Sequence, residues 1–166
     1  MTVLVAGIGN MFLSDDGFGV EVLRALRSAE LPPDVELVDT GIRGMHLAYQ
    51  LLDGYDALVI IDALQRGSAP GTLYTLEHDL DAPRTGEPQF DAHGMDPLSV
   101  LDQLDTLATS MGITRPVGRV LVVGCEPAVL DEAIGLSRPV AAAVEPAVRA
   151  VLDLLPTLAE PEGAHR

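Results

Sequence analysis

Short apolar runs alternate with longer stretches in which apolar residues return every three or four positions. "TVLVAGI" (2–8) is continuous enough for a strand buried on both faces, and "GFGVEVLRALRSAE" (17–30) has helical spacing. The same two patterns recur in "DVELVDT" (34–40) and "MHLAYQLLDG" (45–54). "ALVIIDAL" (57–64) has the unbroken Val/Ile/Leu character of a central parallel strand, whereas "GTLYTLEHD" (71–79) alternates as an edge or antiparallel strand does. Residues 80–95 carry proline, glycine and charge without periodicity, and a connection of that length is usually functional or mobile. "DPLSVLDQLDTLATSMG" (96–112) then opens with Asp at the N-cap and Pro at the first helical position, and closes on Gly. "GRVLVVGCE" (118–126) reads as a last strand, and "RPVAAAVEPAVRAVLDLL" (138–155) as a closing helix with a kink or restart at Pro146.

Strand–helix alternation of this kind predicts a three-layer α/β fold around a mostly parallel sheet, in one domain over residues 1–155 with a frayed tail at 156–166. Ligand sites in such sheets gather at the carboxyl ends of the strands. Here those ends lead to Gly7–Asn10 with Asp15 and Asp16, to Asp39 and to Asp62, while His93 lies in the loop before the 96–112 helix.

Composition narrows the ligand. The 166 residues are 48% hydrophobic, and no apolar run approaches the roughly 20 residues needed to span a bilayer. The first residues have no basic leader and run straight into a strand, so the expected location is the cytoplasm. A single cysteine, Cys125, rules out an internal disulfide and a multi-cysteine zinc site; set in an apolar run, it reads as a buried structural thiol. The formal charge of −15 opposes nucleic acid and anionic membrane as partners and favours a cation or a basic protein.

The turn "GIGNMFLSDDGFG" can be read in two ways. Gly7 and Gly9 match the first two glycines of a dinucleotide fingerprint, with Asp39 where a ribose-binding acid would stand. Phe12 occupies the third glycine position, however, and two carboxylates lie where a pyrophosphate should rest. Like charges about 4 Å apart cost on the order of 4 kcal/mol at an effective dielectric near 20, so the turn suits a cation better than a phosphate. One of the two aspartates is expected to cap the following helix, which leaves Asp16 to face the rim. Asp16, Asp62 and His93 then form a three-ligand set with open positions, suited to a divalent transition metal. The positive end of the 96–112 helix would keep His93 in the neutral form that a metal needs. Neither an H-E-x-x-H nor a G-x-S-x-G motif occurs.

The same turn resembles the signature of the nickel–iron hydrogenase maturation endopeptidases, roughly G-x-G-N-x-x-x-x-D-[DE]-x-x-G. "DTGIRGMHL" (39–47), "IIDAL" (60–64), "APGTLYTL" (69–76), "AHGMDPLSVL" (92–101) and "VGCEPAVLDEAIGLSRPVAAAVEPAV" (123–148) are similar to the family in the same order, so the resemblance covers all but the tail. It implies an α/β/α sandwich with a twisted five-stranded sheet, and an endopeptidase that removes a C-terminal extension from the [NiFe] hydrogenase large-subunit precursor once nickel is in place. The family's metal-contacting positions fall on Asp16, Asp62 and His93, the first being glutamate in many members; Asp39 and Gly41 fall in a motif assigned to substrate recognition. The nickel would be supplied by the substrate, with no organic cofactor. The hydrolytic mechanism is open between metal assistance and an aspartic-type carboxylate pair, although the single "DTG" at 39–41 would make a pepsin-like site only in a dimer, and a monomer is expected. The competing readings are a non-catalytic nickel-sensing or delivery chaperone using the same ligands and, behind it, a nucleotide-binding α/β protein.

Overall fold

The computed structural model of the chain describes residues 2–41, 45–80 and 97–158. His93, Asp96 and most of the 80–95 connection lie outside the described residues. Five strands, β1 (Val3–Ile8), β2 (Val35–Gly41), β3 (Tyr55–Ala63), β4 (Leu73–His78) and β5 (Val117–Cys125), form one sheet in the order β2-β1-β3-β5-β4. The pairs β1–β2, β1–β3 and β3–β5 are parallel, and β4 runs antiparallel on the edge of β5, as its alternating sequence predicts. Among the described residues the α-helices are α1 (Phe18–Leu26), α2 (Met45–Leu51), α3 (Pro97–Met111) and α4 (Arg138–Leu158).

Strand periodicity sorts the core into two halves. Val3 and Val5 of β1, Val59 and Ile61 of β3 and Val123 of β5 pack with Phe18, Leu23 and Leu26 of α1 and Val140, Ala147 and Val151 of α4. Leu4 and Ala6, Leu58 and Ile60, and Val120 and Val122 point the other way, onto Leu47 and Leu51 of α2 and Leu101 and Leu104 of α3. Both faces of the three parallel inner strands are therefore apolar, which is why those strands read as continuous runs rather than alternations.

Two boundaries differ from the sequence reading. α1 ends at Leu26, because Arg27 to Ala29 continue only as a turn with bonds such as Ser28 N–H to Ala25 O. α4 runs unbroken through Pro146 and on to Leu158, so residues 156–158 are helical rather than frayed. Each internal proline removes one N–H from the helical ladder. Val151, Leu155 and Leu158 stay buried against the sheet on either side of Pro156, and that burial holds the helix in register.

Candidate active site

The carboxyl rim is built on close backbone approach. β1 leads through Gly9 into a 3₁₀ turn at Ser14–Gly17, which passes directly into α1. Gly9 has φ +141°, a conformation that favours glycine, and a Cβ there would overlap the Asp16 carbonyl. A Cβ on Gly19 would overlap the carbonyl oxygens of both Ile8 and Ile61, and one on Gly7 would lie 2.6 Å from the Gly19 carbonyl. The glycines therefore press the start of α1 onto the ends of β1 and β3. They do not cradle a phosphate; they set the turn that carries Asp16 beside the end of β3, where Asp62 directly follows Ile61.

Asp16 is half-buried, and its Oδ2 accepts the Asn10 N–H at 2.8 Å. Asn10 Oδ1 accepts the Phe12 N–H at 2.9 Å, so the connection is laced by its own side chains. Asp62 is 5% exposed at the penultimate position of β3, and its Oδ1 accepts the Ala63 N–H at 2.8 Å. On β2, Asp39 is exposed and in register with Gly7. The register then shifts so that Gly41 pairs with Ile8, and the buried Thr40 hydroxyl donates to Gly7 O at 3.2 Å. The three strand ends thus bring Asp16, Asp39 and Asp62 to one rim, as the strand-end rule predicts. No group of three metal-ligating side chains occurs among the described residues, and the predicted third ligand, His93, lies outside them.

Asp15 is the residue that sequence reasoning misjudged. Neither the 3₁₀ turn nor α1 has a side-chain capping bond, so neither aspartate is the expected N-cap. Asp15 is fully buried and turns toward the connection between β5 and α4. Its Oδ2 accepts the N–H groups of Ala128 (2.8 Å) and Val129 (2.9 Å) and the Ser137 hydroxyl (2.8 Å), and its Oδ1 accepts the Ser137 N–H (2.7 Å). Burial alone would raise its pKa, but these four donors outweigh it and hold the carboxyl below the ordinary aspartate value. Neighbouring acids in the chain are directed to different partners, and this resolves the repulsion that the "DD" pair suggests.

Glu126 does the equivalent work at the end of β5. It is 6% exposed and accepts the Arg66 N–H (2.7 Å), the Gly67 N–H (3.0 Å) and the Tyr74 hydroxyl (3.0 Å), fastening the β3–β4 connection. Its pKa, too, lies below the ordinary value, with burial opposing and the three donors prevailing. The sequence offered one signal for it: a carboxylate closing a buried strand needs donors on arrival. Cys125 is fully buried, and burial, followed by the charges of Asp15 and Glu126, pushes its thiol up to about 11. The structural reading of that residue holds.

The rim therefore offers carboxylates, not a cradle for phosphate. The family model described as HycI, hydrogenase maturation protease, matches residues 20–154. The chain is 34% identical over 98% of its length to the hydrogenase expression/formation protein HupD of Rhizobium leguminosarum bv. viciae, of which it covers 80%. It is also 34% identical over 93% of its length to the hydrogenase 2 maturation protease of Escherichia coli, of which it covers 91%. Among solved structures it resembles the hydrogenase maturating endopeptidase HybD from E. coli, with a TM-score of 0.77 and 32% identity over 96% of this chain and 94% of that one. The chain belongs to the hydrogenase maturation protease family. It is a hydrolase, of a family that processes the hydrogenase large subunit at its C-terminus. The α/β/α expectation holds, and the nucleotide-binding reading falls away. No helix of the described residues is long and apolar enough to cross a membrane.

Proposed function

We propose that the chain cleaves its precursor only after nickel has been inserted, and that Asp16, Asp62 and His93 recognise the metal the precursor carries. The observation behind this reading is the packing of Gly19 on the Ile8 and Ile61 carbonyls, which sets the Asp16 turn against the strand end that carries Asp62. The donor chemistry fits: two carboxylates and an imidazole suit a divalent transition metal, and a set of three leaves positions for ligands that the precursor already supplies. Each carboxylate is oriented by a backbone N–H, through Asn10 and Ala63 respectively, so little ordering remains to be done on contact.

Nickel delivered with the substrate would supply Lewis acidity toward the scissile carbonyl or the attacking water. Asp16 or Asp62 takes the proton from that water as its oxygen attacks the carbonyl carbon, and the proton passes on to the departing amine nitrogen. Asp39 and Gly41, on the neighbouring strand end, contribute to recognition of the precursor chain. A precursor without nickel presents no charge to the rim carboxylates and forfeits the attraction that would seat it. Incubation of nickel-loaded and metal-free precursor with the protein, read by intact mass, tests this directly. Loss of the extension from the loaded form alone is expected, and equal rates for the two would reject it.

A further inference from the structure

Six large apolar side chains are exposed among the described residues, and three of them, Phe12, Val129 and Ile134, lie on two backbone segments that are hydrogen-bonded to each other beside the rim. Ile134 is 74% exposed and Phe12 is 59% exposed. Backbone bonds hold their segments together: Ala133 N–H donates to Phe12 O at 3.0 Å, Ser14 N–H to Ala133 O at 2.9 Å, and Asp15 N–H to Val129 O at 3.0 Å. The Ser14 hydroxyl adds a bond to Asp131 O at 2.7 Å, and Ser14 takes φ +53° to make these ties. With the four bonds to Asp15, the irregular 126–137 connection is fixed along most of its length, although it contains no regular element. Exposing apolar side chains on a connection so heavily tied down serves neither the core nor solubility. Such patches mark contact surfaces, and one that is already ordered loses little entropy on binding.

Two features identify the occupant. Asp131 and Glu132 are exposed between Val129 and Ala133, so the surface is apolar with an acidic border, on a chain of net charge −15. It is also continuous with the candidate active site, since Phe12 donates to Asn10 Oδ1 and the Asn10 N–H donates to Asp16 Oδ2. We infer that Phe12, Val129 and Ile134, bordered by Asp131 and Glu132, form the docking platform for a segment of the precursor polypeptide that presents an apolar side chain next to a lysine or arginine. The platform holds that segment while the scissile bond lies at the Asp16 rim. This deepens the proposed reading and rests on it.

The test is steady-state cleavage of a nickel-loaded large-subunit precursor that the wild-type chain processes, beginning with that of E. coli hydrogenase 2. Ile134→Glu, Phe12→Ala and the pair Asp131→Lys with Glu132→Lys are compared with Met111→Glu, a control at the exposed end of α3. Each platform variant should raise KM about tenfold with kcat within about twofold, and the control should leave both unchanged. Unchanged KM in the platform variants, with the wild type active, overturns the platform and leaves the protease reading standing. A shift from dimer to monomer in Ile134→Glu without a change in KM would assign the patch to a second copy of this chain instead. A wild type that cleaves no nickel-loaded precursor defeats the underlying reading, and the platform with it.

Discussion

The β1–α1 and β5–α4 connections meet at the same rim, yet they reach their fixed shapes by opposite means. The first is held by the absence of side chains: Gly7, Gly9 and Gly19 let backbone rest on backbone. The second is held by buried carboxylates, with Asp15 accepting four bonds inside it and Glu126 closing the strand that leads into it. Steric contact fails abruptly when an atom is added and is indifferent to pH. Charge-assisted bonding tolerates shape but depends on ionisation. The candidate ligand Asp16 and Phe12 of the exposed apolar platform stand on the first connection, and Val129 and Ile134 of the platform on the second.

Gly19→Ala should cost the most stability. Helix propensity alone favours alanine by up to about 1 kcal/mol. The added Cβ would strike two carbonyl oxygens that belong to the sheet and cannot swing away. Overpacking against backbone should win by about 3 kcal/mol or more, lowering the melting temperature by roughly 10 °C. A Gly19→Ala protein as stable as the parent would show that the contact at the rim is not tight.

Asp15→Asn should cost less, about 2–3 kcal/mol, because one amide oxygen can still accept while the amide nitrogen faces groups that only donate. The loss should depend on pH. Asp15 has a lowered folded-state pKa, so its contribution is complete above the ordinary aspartate value near 4 and disappears as pH falls through the lower folded value. Urea unfolding at pH 7 and below pH 4 should therefore separate parent from variant clearly at the first and much less at the second. A gap that stays constant with pH would mean that Asp15 acts by shape alone.

Much of this architecture was legible in the sequence because the inner strands bury both faces, which writes unbroken apolar runs, and because β4, on the edge, alternates. The strand-end rule also placed Asp16, Asp39 and Asp62 at the carboxyl rim, where the structure has them. What stayed hidden depends on contacts between residues far apart in the chain. Asp15 bonds to partners more than a hundred positions away, and nothing in "SDDG" tells which aspartate turns inward. The close approach of Gly19 to Ile61 is hidden for the same reason, since a glycine near a helix start reads equally well as a phosphate loop. Pro146 and Pro156 signalled interruption, and the burial of Ala147, Val151, Leu155 and Leu158 prevailed.

The most direct measurement is the rate at which Asp16→Asn removes the extension from a nickel-loaded precursor, followed by intact mass beside the wild type. Asparagine keeps an oxygen for the Asn10 N–H, so the turn should survive while the charge is lost. The account predicts a rate lower by at least about a hundredfold with an unchanged melting temperature. Cleavage at the wild-type rate would contradict it.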